Sequence, residues 1–112
     1  FRINAEDPEH DFRPCPGTIT RFDLPGGPGV RVESYISQGD HISPYYDSMV
    51  AKLIVWGIDR DECIARGKRA LSEFCIEGIK TTIPFHQEVL ENQAFIDGRV
   101  YTDFIETEMG DE

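Results

Sequence analysis

The sequence is poor in basic charge. Eleven Lys and Arg stand against twenty-one Asp and Glu, a formal net charge of −10 over 112 residues. Binding to nucleic acid phosphates needs a net basic surface, so nucleic acid is excluded as a partner. The acidic excess reads as a solvated surface, with Asp103, Glu106, Glu108, Asp111 and Glu112 in a solvated tail. No apolar run approaches the ~18 residues of a membrane span, which excludes a spanning helix. Cysteine is scarce: Cys15, Cys63 and Cys75 form no C-x-x-C pair, and His10, His41 and His86 fall at no zinc spacing from them. No metal site is expected, and the thiols read as reduced groups of a cytosolic protein. Internal repeats and low-complexity stretches are absent.

What is present is a chain long enough to bury one core. Phe1, Ile3 and Ala5 alternate with Arg2, Asn4 and Glu6, the period of a half-buried strand with Arg2 on the outward face. A strand running from the first residue leads us to expect one domain over 1–112, cut from a larger chain. Residues 7–17 carry three prolines and a glycine and predict loop. Residues 18–24 and 30–36 read as strands around the Pro25-Gly-Gly-Pro-Gly29 turn, which predicts a hairpin. Residues 37–40 read as a turn, and Pro44 makes 42–48 an edge or bend. Met49 to Trp56 has the β-branched content of a buried strand. Asp59 as cap, with Glu62 three residues on, predicts a helix whose apolar face carries Ile64, Leu71 and Phe74. Glu62 and Arg66 form a favourable i,i+4 pair. Gly67 in its middle is either a close packing point or drift. Thr81 to Pro84 begins a second helix with Phe85, Val89 and Leu90 on its apolar face. Residues 92–98 read as turn and 100–106 as a last short helix. Strands first and helices after give an α+β class: a small antiparallel sheet with a hairpin, followed by packed helices.

Few residues point to chemistry. The glycine-rich turn lacks the Gly-x-x-x-x-Gly-Lys-Ser/Thr spacing and sits between strands, so it reads as a turn needing positive φ rather than a phosphate cradle. In Tyr45-Tyr-Asp-Ser48, Asp47 either anchors the turn or holds an arginine, with Arg2 the natural bidentate partner. Lys52 either snorkels at a strand edge or pairs with an acid. His86 reads as a surface residue.

Five motifs, in order, resemble the C-terminal domain of biotin carboxylase. They are Arg2-Ile-Asn-Ala-Glu-Asp-Pro8, Phe12-Arg-Pro-Cys-Pro-Gly17, Pro25-Gly-Gly-Pro-Gly-Val-Arg31, Pro44-Tyr-Tyr-Asp-Ser-Met49 with Lys52-Leu-Ile54, and Gly78-Ile-Lys-Thr81. The resemblance implies the third part of an ATP-grasp enzyme that uses ATP and Mg²⁺ to activate bicarbonate through carboxyphosphate and carboxylates N1′ of carrier-bound biotin. ATP, metal and bicarbonate groups would lie in segments absent here, so the isolated piece is expected to be inactive. The implied partners are the rest of the carboxylase chain, a biotin carboxyl carrier domain, a carboxyltransferase and a possible second copy, with no nucleic acid or membrane. By resemblance, Arg2 contacts biotin or bicarbonate as the catalytic and cofactor-binding residue, and Asp47 orients it. Arg31 and the glycine turn correspond to a dimer-contact region, where Pro28 replaces the large apolar residue of many members. Gly67 stands where most members have Met. The implied setting is cytoplasmic acetyl-CoA carboxylase of fatty acid biosynthesis. Pyruvate, propionyl-CoA and methylcrotonyl-CoA carboxylases share the motifs, and a non-catalytic dimerisation module is the alternative class.

Overall fold

The computed structural model describes residues 1–45 and 47–109; Tyr46, Asp111 and Glu112, named above, lie outside the described residues. In chain order the elements are β1 (Arg2–Asn4), β2 (Glu6–Asp7), a 3₁₀ turn (Pro8–His10), β3 (Arg13–Pro14), β4 (Gly17–Thr18), β5 (Arg21–Asp23), β6 (Val30–Ser34), β7 (His41–Ile42) and β8 (Met49–Val55). Then come α1 (Arg60–Glu73), β9 (Cys75–Glu77), α2 (Ile83–Glu91), α3 (Gln93–Ile96) and α4 (Phe104–Glu108). The α+β class expected from the sequence is the class found.

One three-stranded antiparallel sheet, in the order β1-β8-β6, carries the architecture. Its seven-residue central strand is the β-branched run that the sequence marks out. Ile3, Ala51 and Leu53 turn inward with no exposed surface and pack on α1, whose Gly67, Ala70 and Leu71 are buried at helical spacing. Burying Leu53 and Leu71 stabilises the fold by about 2 kcal/mol each on a transfer scale. Asp59 caps α1 by accepting from the Glu62 N–H at 2.8 Å, and Glu62 pairs with Arg66 at 3.1 Å, both as read from the sequence.

The expected hairpin across the glycine turn does not form. β5 pairs with β9, Phe22 opposite Ile76, while β6 pairs with β8, Val32 opposite Leu53. The turn joins two sheets, because the long apolar β8 supplies β6 with a better-buried partner than three-residue β5 can. The turn keeps its positive φ, +104° at Gly27 and +75° at Gly29, and Arg66 and Arg69 of α1 pack against it. The Arg66 guanidinium donates to the Trp56 carbonyl, so a side chain on Gly29 would collide with it.

Three further expectations are corrected. Residues 7–17 hold the 3₁₀ turn and short ladders, because Asp7 accepts from the Glu9 N–H at 3.0 Å and so gives the proline segment a cap. Residues 18–24 split between β4 and β5. Within 92–98, α3 forms because Asn92 caps it through the Phe95 N–H at 3.2 Å.

Candidate functional site

β1 positions Arg2. Its side chain is 63% exposed, on the face opposite Ile3, and across the sheet it lies in one row with Lys52 and Glu33. The neighbouring row holds Arg31 and Ile54. In an acidic protein this face gathers three cations, a field suited to an anionic oxygen. Lys52 has no acidic partner within 4 Å among the described residues, while Arg31 pairs with Glu33 at 3.4 Å. Two strand spacings and one pleat separate Arg31 from Arg2 by roughly 12 Å, so the two guanidinia serve different surroundings.

The structure brings Asp47 to Arg2, as the sequence reading asks, but with a different geometry. Arg2 Nη2 lies 3.7 Å from Asp47 Oδ2, a single ion-pair contact rather than a bidentate clamp. Asp47 is also the turn anchor: its Oδ1 accepts from the Met49 N–H at 3.0 Å. One oxygen thus makes the turn-anchoring hydrogen bond, and the other lies nearest the Arg2 guanidinium.

A bulge sets up this juxtaposition. Ile3 faces Ala51, but Asn4 faces Met49, leaving Val50 as the extra residue; Val50 and Ala51 are consecutive and both buried. Beyond the bulge, the Ala5 N–H donates to the Ser48 carbonyl at 2.8 Å. Glu6 then takes two side-chain donors, Ser48 Oγ at 2.8 Å and Asn4 Nδ2 at 3.2 Å. The segment bearing Asp47 is thus tied to the strand bearing Arg2. Asn4 Oδ1 is buried without a partner among the described residues.

His86 corrects the expectation of a surface residue. It is half-buried on α2, and its Nε2 lies 2.8 Å from the Arg2 carbonyl. Burial lowers its pKa below the usual histidine value, against the opposing pull of that hydrogen bond. Glu6, Ser48 and Thr82 also went unmarked in the sequence; the resemblance motifs contain Glu6 and Ser48, but no periodicity singles them out.

Other features lie apart from Arg2. An apolar groove of about 480 Å³ is lined by inward-facing Phe1, Leu53 and Val55 with Ile64, Leu90 and Phe95. All three cysteines are free. No group of three or more His, Cys, Asp and Glu able to hold a metal occurs among the described residues, and no helix there is long and apolar enough to cross a membrane.

A family model described as the biotin carboxylase C-terminal domain matches residues 1–107. The chain belongs to this family. A biotin carboxylase from Nostoc is 56% identical over 105 residues, covering 94% of this chain and 24% of the relative. A pyruvate carboxylase subunit from Methanothermobacter thermautotrophicus is also 56% identical over 105 residues, covering 94% of this chain and 21% of that one. Among solved structures, the biotin carboxylase domain dimer of Hydrogenobacter thermophilus 2-oxoglutarate carboxylase, in complex with MgADP, ADP and bicarbonate, superposes with a TM-score of 0.91. Its identity is 47%, over 94% of this chain and 23% of that one. The chain therefore spans about a quarter of the length of these relatives.

Proposed function

We propose that this chain works as the C-terminal part of a longer, cytoplasmic biotin carboxylase, in which Arg2 faces the biotin being carboxylated. The observation that carries the reading is the Arg2 guanidinium: exposed, beside Lys52, and facing a carboxylate that is itself anchored by a backbone N–H. Removing the N1′ proton of biotin places negative charge on its ureido oxygen. A guanidinium held in a water-poor site stabilises that charge more than it stabilises the neutral ring, which is how it lowers the barrier. The donor set fits an anionic oxygen, bicarbonate included. ATP and Mg²⁺ belong to the remainder of the enzyme in this reading. Carrier domain and carboxyltransferase are the implied partners.

In the full-length enzyme, Arg2→Ala should cut kcat/KM for free biotin about 100-fold, the range of one lost charge-stabilising donor, while ATP affinity changes less than about threefold. Equal losses in both would overturn the assignment.

Acetyl-CoA carboxylase, and with it fatty acid synthesis, is the acceptor system we propose, with pyruvate carboxylase the alternative; the Nostoc biotin carboxylase is 56% identical. The pyruvate carboxylase relative is equally similar, so the deciding experiment is an assay of the assembled enzyme with acetyl-CoA against pyruvate. A second reading, an association module, is favoured by the exposed Arg31 and by the dimeric Hydrogenobacter domain. Sedimentation of the full-length protein tests it: a dimer lost on Arg31→Glu supports it, and an unchanged dimer removes it.

A further inference from the structure

Because β1 is an outer strand of the sheet, one of its edges has no strand beside it among the described residues. Backbone groups left open there would have to find water or other partners. α2 supplies them instead. Thr82 Oγ1 donates to the Arg2 carbonyl at 3.1 Å and accepts from the Asn4 N–H at 3.0 Å, and the Thr82 N–H donates to the Asn4 carbonyl at 3.1 Å. His86 Nε2 provides a second donor to the Arg2 carbonyl, at 2.8 Å. A carbonyl only accepts, so Nε2 carries the proton in this contact. The imidazole cannot swing away easily. It meets the Phe1 ring edge-on at 5.1 Å between centroids and the Phe85 ring at 5.9 Å.

We propose that His86 is a positioning residue for Arg2, holding its carbonyl so that the guanidinium on the outer face of the sheet stays aimed at the biotin site. The proposal rests on the reading of Arg2 as the biotin-side residue. The need for such a residue follows from how little else holds the guanidinium: one 3.7 Å contact to an exposed carboxylate. The carbonyl direction reports Arg2 ψ, and the side chain extends about 7 Å from the same Cα. A drift of about 10° in the backbone therefore moves the guanidinium by about 1 Å, a misplacement that can cost up to about 100-fold in rate. Two donors on one carbonyl, one of them an aromatic ring wedged between two others, suppress that drift.

The test uses the full-length enzyme with free biotin. His86→Leu removes the donor and keeps the bulk; His86→Gln places an amide N–H within reach of the same carbonyl. His86→Leu should lower kcat/KM for biotin about tenfold, mainly through kcat, with ATP affinity unchanged, and His86→Gln should recover activity to within about twofold of the parent. In an Arg2→Ala background, His86→Leu should cost nothing further, because its effect runs through Arg2. An unchanged His86→Leu enzyme, failure of Gln to rescue, or a full further loss in the Arg2→Ala background would each overturn the proposal while leaving the role of Arg2 standing. An Arg2→Ala enzyme whose kcat/KM for biotin stays near the parent value would instead overturn the reading on which the proposal rests, and the proposal with it.

Discussion

Asp47 divides its two oxygens: Oδ1 accepts from the Met49 N–H at 3.0 Å, and Oδ2 faces Arg2 Nη2 at 3.7 Å. The first contact orients the carboxylate, and the second uses that orientation. Both side chains of the ion pair are about two-thirds exposed, so water screens it, and such pairs contribute about 0–1 kcal/mol. Asp47→Asn keeps an oxygen for Met49 and removes the charge. In the full-length enzyme it should lower kcat/KM for free biotin by no more than about fivefold, with a deficit that shrinks as salt rises. A loss as large as that of Arg2→Ala would show that Asp47 acts on the reaction directly.

Glu6 ties the two halves of the site together, and Ser48→Ala takes one strut away. The Ser48 Oγ bond to Glu6, at 2.8 Å, is partly buried, and its loss should cost about 1 kcal/mol of stability, read by urea denaturation. Part of the same loss should appear as a higher KM for biotin, because Ser48 adjoins Asp47. Unchanged stability would mean that the Ala5–Ser48 backbone bond alone fixes the segment.

Gly67 offers a stabilising substitution. A Cβ there would meet Leu90 Cδ1 at 3.3 Å and Phe1 Cε2 at 3.5 Å, contacts with a flexible methyl and a ring edge rather than backbone. Against this mild crowding stands about 1 kcal/mol of helix propensity. Gly67→Ala should raise the unfolding free energy by about 0.5–1 kcal/mol and leave biotin kinetics untouched. Destabilisation would show that the α1–α2 contact has no slack.

Asp7 makes the fold sensitive to acid. Burial alone would raise the pKa of its carboxyl. The hydrogen bond from His10 Nδ1, at 2.7 Å, together with the Glu9 N–H and the positive charges of His10 and Lys80, outweighs burial and holds it below its ordinary 3.8. A carboxyl whose pKa is lowered by folding contributes stability that is complete above about pH 4 and lost as pH falls through the folded-state value. Asp7→Asn should therefore flatten the decline in stability below about pH 4 and lower stability at neutral pH. A wild-type slope retained in the variant would assign the acid sensitivity to other carboxyls.

Sequence legibility followed the range of the interaction. β8 and α1 were readable because period and caps are local: the β-branched run of 49–55 and the Asp59–Glu62 cap need no knowledge of the rest. β6 was readable as a strand, but its partner was not, since turn chemistry says where a chain reverses and not which strand receives it. The two-residue ladders at 6–7, 13–14, 17–18 and 41–42 are too short to show any alternation. Arg2 and Asp47 were legible as a pair from their chemistry, while their roles came from motif resemblance; the contact is a single exposed one rather than the bidentate clamp expected. His86 escaped because its significance lies in a carbonyl 84 residues earlier, a fact of docking that no helical wheel displays.

Thr82 stands at the N-cap of α2, where a threonine hydroxyl ordinarily satisfies a helix amide, yet it makes no such bond. Its hydroxyl is committed to the first strand. The start of this helix and the opening residues of the sequence therefore complete one another, and neither reaches its final hydrogen bonding alone. Folding must close a loop of about 80 residues before either is secure, so fraying of residues 2–4 should be felt first in the opening turn of α2.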